Sequence, residues 1–483
     1  MDFPPVHLIN ETGNYRVYRE RFWVLFIFFF HTFNQCMFWL TFSPIAAETM
    51  SYYQTSEANV DLLLNWGPII FLPALPLVYV LVNTHHGLRR CILLYALILI
   101  VGTALRLVPF LITSSDKPNF HDVSLPFLHV AQILIATTGP IAMALVSQLS
   151  CIWFAPHERT RATTMAILAA ELGGAVALLI SPFLVTQASE VPRLLYLHIG
   201  QALVACVLTL IYFPAEPPTP PSLAAEMLRA NQLASERSIE TLKKILWDIW
   251  LCIQNLPAVL LIISGAILGG TFGVWSGIFA TILTPLGYTE IQAGERSLFI
   301  PIEYLSFCYL PIGWFGFSQT IAGIIGSFIM SYVADHRRFQ RSFKPLILIS
   351  LILSFIFCLL FQFSVRTLFW PNKALMPSTP ATIGILLSIT GFFYGAGFPL
   401  FYESLAEVTH PLPESSSTSL LVQVFNLTSV IFIAIAPNRY KLMNLLVLLV
   451  IGISIIMVAC TRMTYRRKDK ESRKIEEQLY EIQ

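Results

Sequence analysis

Gln35 and Trp39 stand four residues apart in an apolar run, a spacing that puts both on one side of a helix. The pair offers an amide that can donate and accept hydrogen bonds beside a large π face. That combination suits a small aromatic or cationic solute, and it equally serves packing between helices. Trp275, in the first span of the second half of the chain, is expected to face the pair across a cavity, and Asn426 is a polar residue in the middle of another apolar run. Glu403 and Glu407 are again one turn apart, near the end of a span, where they can take up a proton or form ion pairs with basic loops. Glu171, beside Gly173 and Gly174, is a second candidate acid within the membrane, and His31 is a candidate proton acceptor or simply a hydrogen-bonded histidine. Asp335 lies next to Arg337 and Arg338, and Glu158 next to Arg159. An acid beside basic residues at a helix end can form a clamp that holds one conformation and breaks in another, although the basic residues alone would follow from membrane topology.

The elements that must position these residues follow from composition. Of 483 residues, 55% are hydrophobic and only 12% charged, and the mean hydropathy is +0.68, so far more apolar surface is present than a soluble domain can bury. Roughly 20 apolar residues are needed for a helix to cross a hydrocarbon core of about 30 Å. Twelve runs qualify, near 22–46, 61–82, 90–111, 126–153, 161–185, 194–213, 257–284, 311–334, 345–366, 380–406, 416–437 and 440–461. The polar and aromatic residues ahead of the first run do not form a leader, so that run is expected to remain as a span. The longest polar stretch opens with Pro214-Ala-Glu-Pro-Pro-Thr-Pro-Pro221 and separates six spans from six. The predicted fold is an all-α membrane protein: tail 1–21, six-helix bundle 22–213, linker 214–256, six-helix bundle 257–461 and tail 462–483.

Orientation is read from the basic residues, which concentrate on the cytosolic side of short loops. With the N-terminus inside, about 22 of the 30 lie on the tails and the inner loops. Both termini are therefore expected in the cytosol, which puts the Asn10 sequon inside and the Asn426 sequon within a helix, so that neither is expected to carry glycan. The two halves echo one another. His86-Gly-Leu-Arg-Arg90 follows span 2 and Ala334-Asp-His-Arg-Arg338 follows span 8, while Trp153-Phe-Ala-Pro-His-Glu-Arg-Thr-Arg-Ala162 follows span 4 and His410-Pro-Leu-Pro-Glu-Ser-Ser416 follows span 10. Signals repeated six spans apart are the mark of transporters whose halves rock about a midplane site.

The Asp-x-Arg-Arg turn and the Trp-Phe-x-Pro-x-Glu-Arg-x-x-Ala turn resemble loop signatures of the major facilitator superfamily. Further stretches make nearly the whole chain similar to its solute carrier family 49: Trp23-Val-Leu-Phe26, Leu64-Asn-Trp-Gly-Pro-Ile-Ile-Phe-Leu-Pro73, Gly102-Thr-Ala-Leu-Arg106, Tyr212-Phe-Pro214, Trp275-Ser-Gly277, and Phe401-Tyr-Glu-Ser-Leu-Ala-Glu407 running into Pro411-Leu-Pro-Glu414. The resemblance implies a facilitator fold, residence in the lysosomal membrane, and proton-coupled export of a small vitamin-like solute such as pyridoxine; other members are associated with choline and haem. It also implies that Gln35, Trp39, Trp275 and Asn426 line the solute site. The segment Glu295 to Pro311 interrupts the family pattern between Gly294 and the next span.

Other classes are disfavoured. No HExxH, GxSxG or paired-Asp motif supports an intramembrane enzyme, no repeated filter supports a channel, and a net charge of +2 recruits no nucleic acid. The eight cysteines are scattered singly with no histidine at metal spacing, so no cofactor or metal is called for. The expected partners are a small solute and the bilayer, with the chain working as a monomer; a solute sensor on the same scaffold is the main alternative to transport.

Overall fold

The computed structural model describes residues 15–465 except 83, 114–116, 118, 235–237, 278, 284–311, 337, 338, 340, 371, 373, 410, 411, 413 and 436–439. The Asn10 sequon, the segment 295–311, and Arg337 and Arg338 fall outside the described residues, as does the side chain of Asp335. Twelve helices among the described residues are long and apolar enough to cross a membrane. The first six are α1 (Glu20–Trp39), α2 (Glu57–Val82), α3 (Gly87–Leu105), α4 (Phe120–Trp153), α5 (Pro156–Leu184) and α6 (Val191–Ile211). Two linker helices follow, α7 (Leu223–Ala234) and α8 (Ser238–Gln254). The second six are α9 (Leu256–Gly277), α10 (Ile312–Asp335), α11 (Phe343–Phe363), α12 (Pro380–Thr409), α13 (Glu414–Ile435) and α14 (Tyr440–Cys460).

Helices dominate because hydrocarbon offers no partner to a backbone N–H or C=O, and only a helix satisfies these groups within one segment. The surplus apolar side chains face outward: Leu77 is 72% exposed and Tyr332 80%, values that a soluble protein would not sustain over whole helices. Several ends differ from the sequence expectation, among them those of the third and seventh spans, which end at Leu105 and Gly277 rather than near 111 and 284. The first span breaks after Trp39, at the Ser43-Pro44 turn, and resumes as a short helix over Ala46–Tyr53, because Pro44 cannot continue the hydrogen-bond ladder. The fourth begins at Phe120 rather than near 126, since the polar turn His121-Asp122 continues the helix beyond the apolar run.

Each half has its own core. Phe28, Tyr95 and Leu145 are fully buried in the first, and Leu261, Ile347 and Leu387 in the second. The halves meet along two seams, α2 against α13 and α5 against α10. Phe71 and Leu75 of α2 belong to the hydrophobic core of the second half, and Leu178 of α5 covers Gly316 of α10. Within the second half α10 and α12 approach to backbone contact: a β-carbon at Gly395 would collide with the carbonyl of Gly323.

Residues 15–19, the linker and residues 461–465 share one face, here called the linker face. Tyr18 Oη lies 2.9 Å from Thr219 Oγ1, Trp23 Nε1 donates to the Tyr212 carbonyl at 2.8 Å, and Tyr465 Oη accepts from Phe343 N at 3.2 Å.

Arg106, at the end of α3, does not snorkel to the interface. It is 1% exposed, inside the first bundle. Its guanidinium donates to Thr41 Oγ1 at 2.9 Å, to the Phe38 carbonyl at 2.8 Å and to Gln132 Oε1, and it lies 5.1 Å from the Phe42 ring centroid. Gln132 Nε2 in turn donates to the Trp39 carbonyl at 2.8 Å. The last carbonyls of α1 have no partner within their own helix and carry the negative end of its dipole, so a cation there caps the helix and fixes the direction in which Trp39 leaves it. Replacing Arg106 by Ala should strip the cap from these carbonyls and lower stability by about 3 kcal/mol, with Arg106→Lys retaining part of it. Thermal melts of the purified protein in detergent would show the order wild type, Lys, Ala.

Candidate functional site

The three prolines inside α2, Pro68, Pro73 and Pro76, set the geometry of the space between the halves. A helical proline supplies no N–H to the carbonyl four residues earlier, and in lipid that carbonyl must find another donor. Pro68 frees Leu64, whose carbonyl accepts the indole N–H of Trp39 at 2.9 Å. The indole lies directly on Gly67, where a β-carbon would overlap its pyrrole edge. Pro76 frees Leu72, whose carbonyl accepts Gln423 Nε2 of α13 at 3.3 Å, a hydrogen bond that crosses from one half to the other. The same logic recurs in the second half, where Pro399 frees Gly395 and Ser327 Oγ of α10 donates to that carbonyl at 2.8 Å.

Gln35, one turn before Trp39, is 9% exposed and finds no hydrogen-bonding partner among the described residues. Its amide lies over Gly139 of α4: a β-carbon at Gly139 would sit 3.6 Å from Gln35 Nε2 and 3.6 Å from Phe71 Cδ2. Glu171 of α5 is exposed to solvent, yet the groups that feel its charge are Cys36 on α1 and Tyr394 and Tyr402 on α12. A carboxylate on α5 within electrostatic reach of α1 and of α12 sits beside the seam where the halves meet. No cationic side chain pairs with it among the described residues. Opposite, Tyr394, Phe398 and Tyr402 follow one another at four-residue spacing along α12, with Tyr394 stacked on Phe272 of α9 at 3.8 Å between centroids. Near the seam between the halves the described residues thus include a carboxylate with no cationic partner, an amide with no hydrogen-bonding partner and aromatic rings of α1 and α12, side chains of the kind that bind a small solute carrying positive charge and hydroxyl groups.

Other sequence-derived candidates lie elsewhere. Trp275 is fully buried in the second bundle, its indole donating to Asn444 Oδ1 at 2.9 Å among Phe272, Phe279 and Phe361, so it does not face Trp39 across the cavity. Asn426 turns back on its own helix, donating to the Val422 carbonyl at 2.9 Å. His31 is inside the first bundle, 2.7 Å from Thr209 Oγ1 and stacked on Tyr95. Glu403 is exposed and Glu407 buried beside Tyr465, both at the linker-face end of α12 and away from Glu171. Glu158 pairs with Arg21 at 3.2 Å and Arg159 donates to Ser222 Oγ at 3.0 Å, contacts that tie α5 to the start of α1 and to the linker. Sequence reasoning missed Gln423, Tyr394 and Tyr402. The proline four residues beyond Leu72 announces an orphan carbonyl, but only the fold says which amide reaches it; the four-residue rhythm of aromatics in α12 was legible.

The sequence of this chain is similar to those of known proteins. Residues 24–302 match the model of the Major Facilitator Superfamily, more than half of the chain. The chain belongs to that superfamily. Over 478 residues it is 28% identical to the solute carrier family 49 member 4 homolog of Xenopus tropicalis, covering 94% of this chain and 93% of that protein. It is 26% identical over 436 residues to the choline/ethanolamine transporter flvcr2a of Danio rerio, covering 87% and 81%. The first of these relatives is named for solute carrier family 49, the family that the motifs of this chain resemble.

The Trp39 contact is testable as a proline consequence. Trp39→Phe keeps the ring but leaves the Leu64 carbonyl without a donor, which should cost about 1–3 kcal/mol. Adding Pro68→Ala restores an N–H four residues downstream and should recover most of that loss. Melts of the single and double variants would measure the recovery, and equal destabilisation in both would contradict this account.

Proposed function

We propose that this protein is a secondary transporter that moves a small, positively charged or protonatable nitrogen solute across a membrane by alternating access. The observation that carries the reading is Glu171, a carboxylate in a span with no cationic partner among the described residues and within electrostatic reach of Tyr394 and Tyr402 of the opposite half. Attraction between a cation and a carboxylate, reinforced by aromatic faces, rises steeply as water is excluded, so closure of the halves around a cation strengthens binding. Gln35 supplies hydrogen bonds to hydroxyl or ring-nitrogen groups, and the fixed Trp39 ring forms the floor. Pyridoxine, with a protonatable ring nitrogen and three hydroxyls, has this chemistry, and the family resemblance supports it together with residence in the lysosomal membrane. Relatives named for choline and ethanolamine support the second reading, a quaternary or primary amine in the same place.

Proton coupling belongs to the same site. Glu171 can hold either a proton or the solute cation, and exchange of one for the other links transport to a proton gradient. We assign this role to Glu171 in preference to His31, which is bonded to Thr209 inside the first bundle, and to Glu403 and Glu407, which lie at the linker-face end of α12. The Asp335 cluster and the Glu158–Arg21 pair would help to hold the linker face in one of its two states.

The test is uptake of radiolabelled pyridoxine and choline into proteoliposomes at two pH values. Glu171→Gln should reduce uptake of the preferred cation by roughly 10- to 100-fold, the loss of about 1.5–3 kcal/mol from a charged contact, and should flatten the pH dependence. Trp39→Ala should abolish uptake per amount of folded, reconstituted protein. Wild-type rates with wild-type pH dependence in Glu171→Gln would remove the charge argument, and binding without flux in the wild type would favour a sensor.

A further inference from the structure

The linker helix α8 carries an apolar stripe that the described residues of the two halves leave exposed. Its inner face is built from Asp248, 7% exposed, and Cys252, fully buried, and it rests on α2 and α13. Its outer face presents Lys243, Trp247 and Trp250, three or four residues apart, with Trp247 61% exposed and Trp250 53%. Two indoles displayed to water three residues apart would each leave a large ring hydrated, a costly arrangement for a helix already held by its other side.

The position of the stripe identifies its occupant. Only Asn255 separates α8 from α9, and the apolar surface continues without a break through Ile253, 50% exposed, and Leu256, 67% exposed, to the lipid-facing Ile263 of α9. Asn255 Nδ2 donates to the Val408 carbonyl at 3.1 Å, one residue before the end of α12. The end of α8 is thus pinned at the level where the spans leave the hydrocarbon, which is the headgroup layer. Tryptophan is the residue favoured there, because its ring meets the acyl chains while its N–H reaches water or phosphate, and the exposed Lys243 beyond it lies where an ammonium group can reach lipid phosphate.

We propose that α8 lies in the headgroup layer of the linker-face leaflet, with Trp247 and Trp250 inserted among phospholipids. Since the opposite side of α8 rests on α2 and α13, the two helices joined across the halves by Gln423 and Leu72, lipid docking of α8 steadies that seam.

The experiment compares full-length protein with its Trp247→Phe/Trp250→Phe variant in nanodiscs of phosphatidylcholine. One set of discs is plain, and the other is brominated near the headgroup end of the acyl chain. The difference in emission between the two proteins reports the two indoles alone. That difference should fall at least about twofold in brominated discs, as contact with the upper acyl chain requires, and aqueous acrylamide should quench it little. Equal emission in both lipids overturns the proposal: with strong acrylamide quenching the stripe faces water, and with weak quenching another protein segment covers it. Phe is close to Trp in shape and polarity, and should the double variant fail to fold, the two single variants give the same reading one indole at a time.

Discussion

A backbone carbonyl that loses its helical partner inside a membrane must be given another, and much of this structure depends on how that demand is met. In water an orphan carbonyl costs little, whereas in hydrocarbon it costs several kcal/mol. The chain nonetheless places proline within its spans, and three of the freed carbonyls are taken by side chains from other helices: Leu64 by Trp39, Leu72 by Gln423, Gly395 by Ser327. Each proline therefore acts as a specification of contact. The first fixes an aromatic ring beside the cavity, the second ties the two halves together, and the third joins α10 to α12 where glycines already bring their backbones together.

Two ionisable side chains within the spans show opposite solutions to the cost of charge in a membrane. Arg106 is enclosed, and its two terminal nitrogens donate to a carbonyl and a hydroxyl at the end of α1 and to the Gln132 amide oxygen of α4, with the Phe42 ring nearby. It is a structural cation that needs no carboxylate, because a helix C-terminus already carries partial negative charge. Glu171 has no such enclosure. It keeps access to water and is surrounded by aromatic and thiol groups with no cation among the described residues, which suits a site whose counter-ion arrives and leaves. The contrast separates a residue that builds the scaffold from one available for exchange.

Much of the architecture was legible in the sequence. The twelve spans and the division into six and six follow from the length and composition of apolar runs, because the bilayer allows so few backbone solutions. The polar residues within those runs were equally visible, and Gln35, Trp39 and Glu171 were singled out by residue type alone. Their companions were chosen less well. Trp275 and Asn426 are as conspicuous in the sequence as Trp39, yet one is committed to Asn444 and the other to its own helix. A helical period of 3.6 residues says which residues share a face but not what that face meets.

What the sequence determined by itself, then, was the number of crossings, the linker between them and the inventory of polar groups placed in lipid, since these follow from transfer free energies that act residue by residue. What only the tertiary structure decided was which of those groups are spent on one another and which stay available. Gln423 was one amide among several until α13 was set against α2, opposite a carbonyl that Pro76 had released. Glu171 was one of three candidate glutamates until packing set it within electrostatic reach of Tyr394 and Tyr402 of the other half. Hydrogen-bond satisfaction is a property of pairs, and the partners here are separated by up to several hundred residues of chain, so no local pattern could assign them.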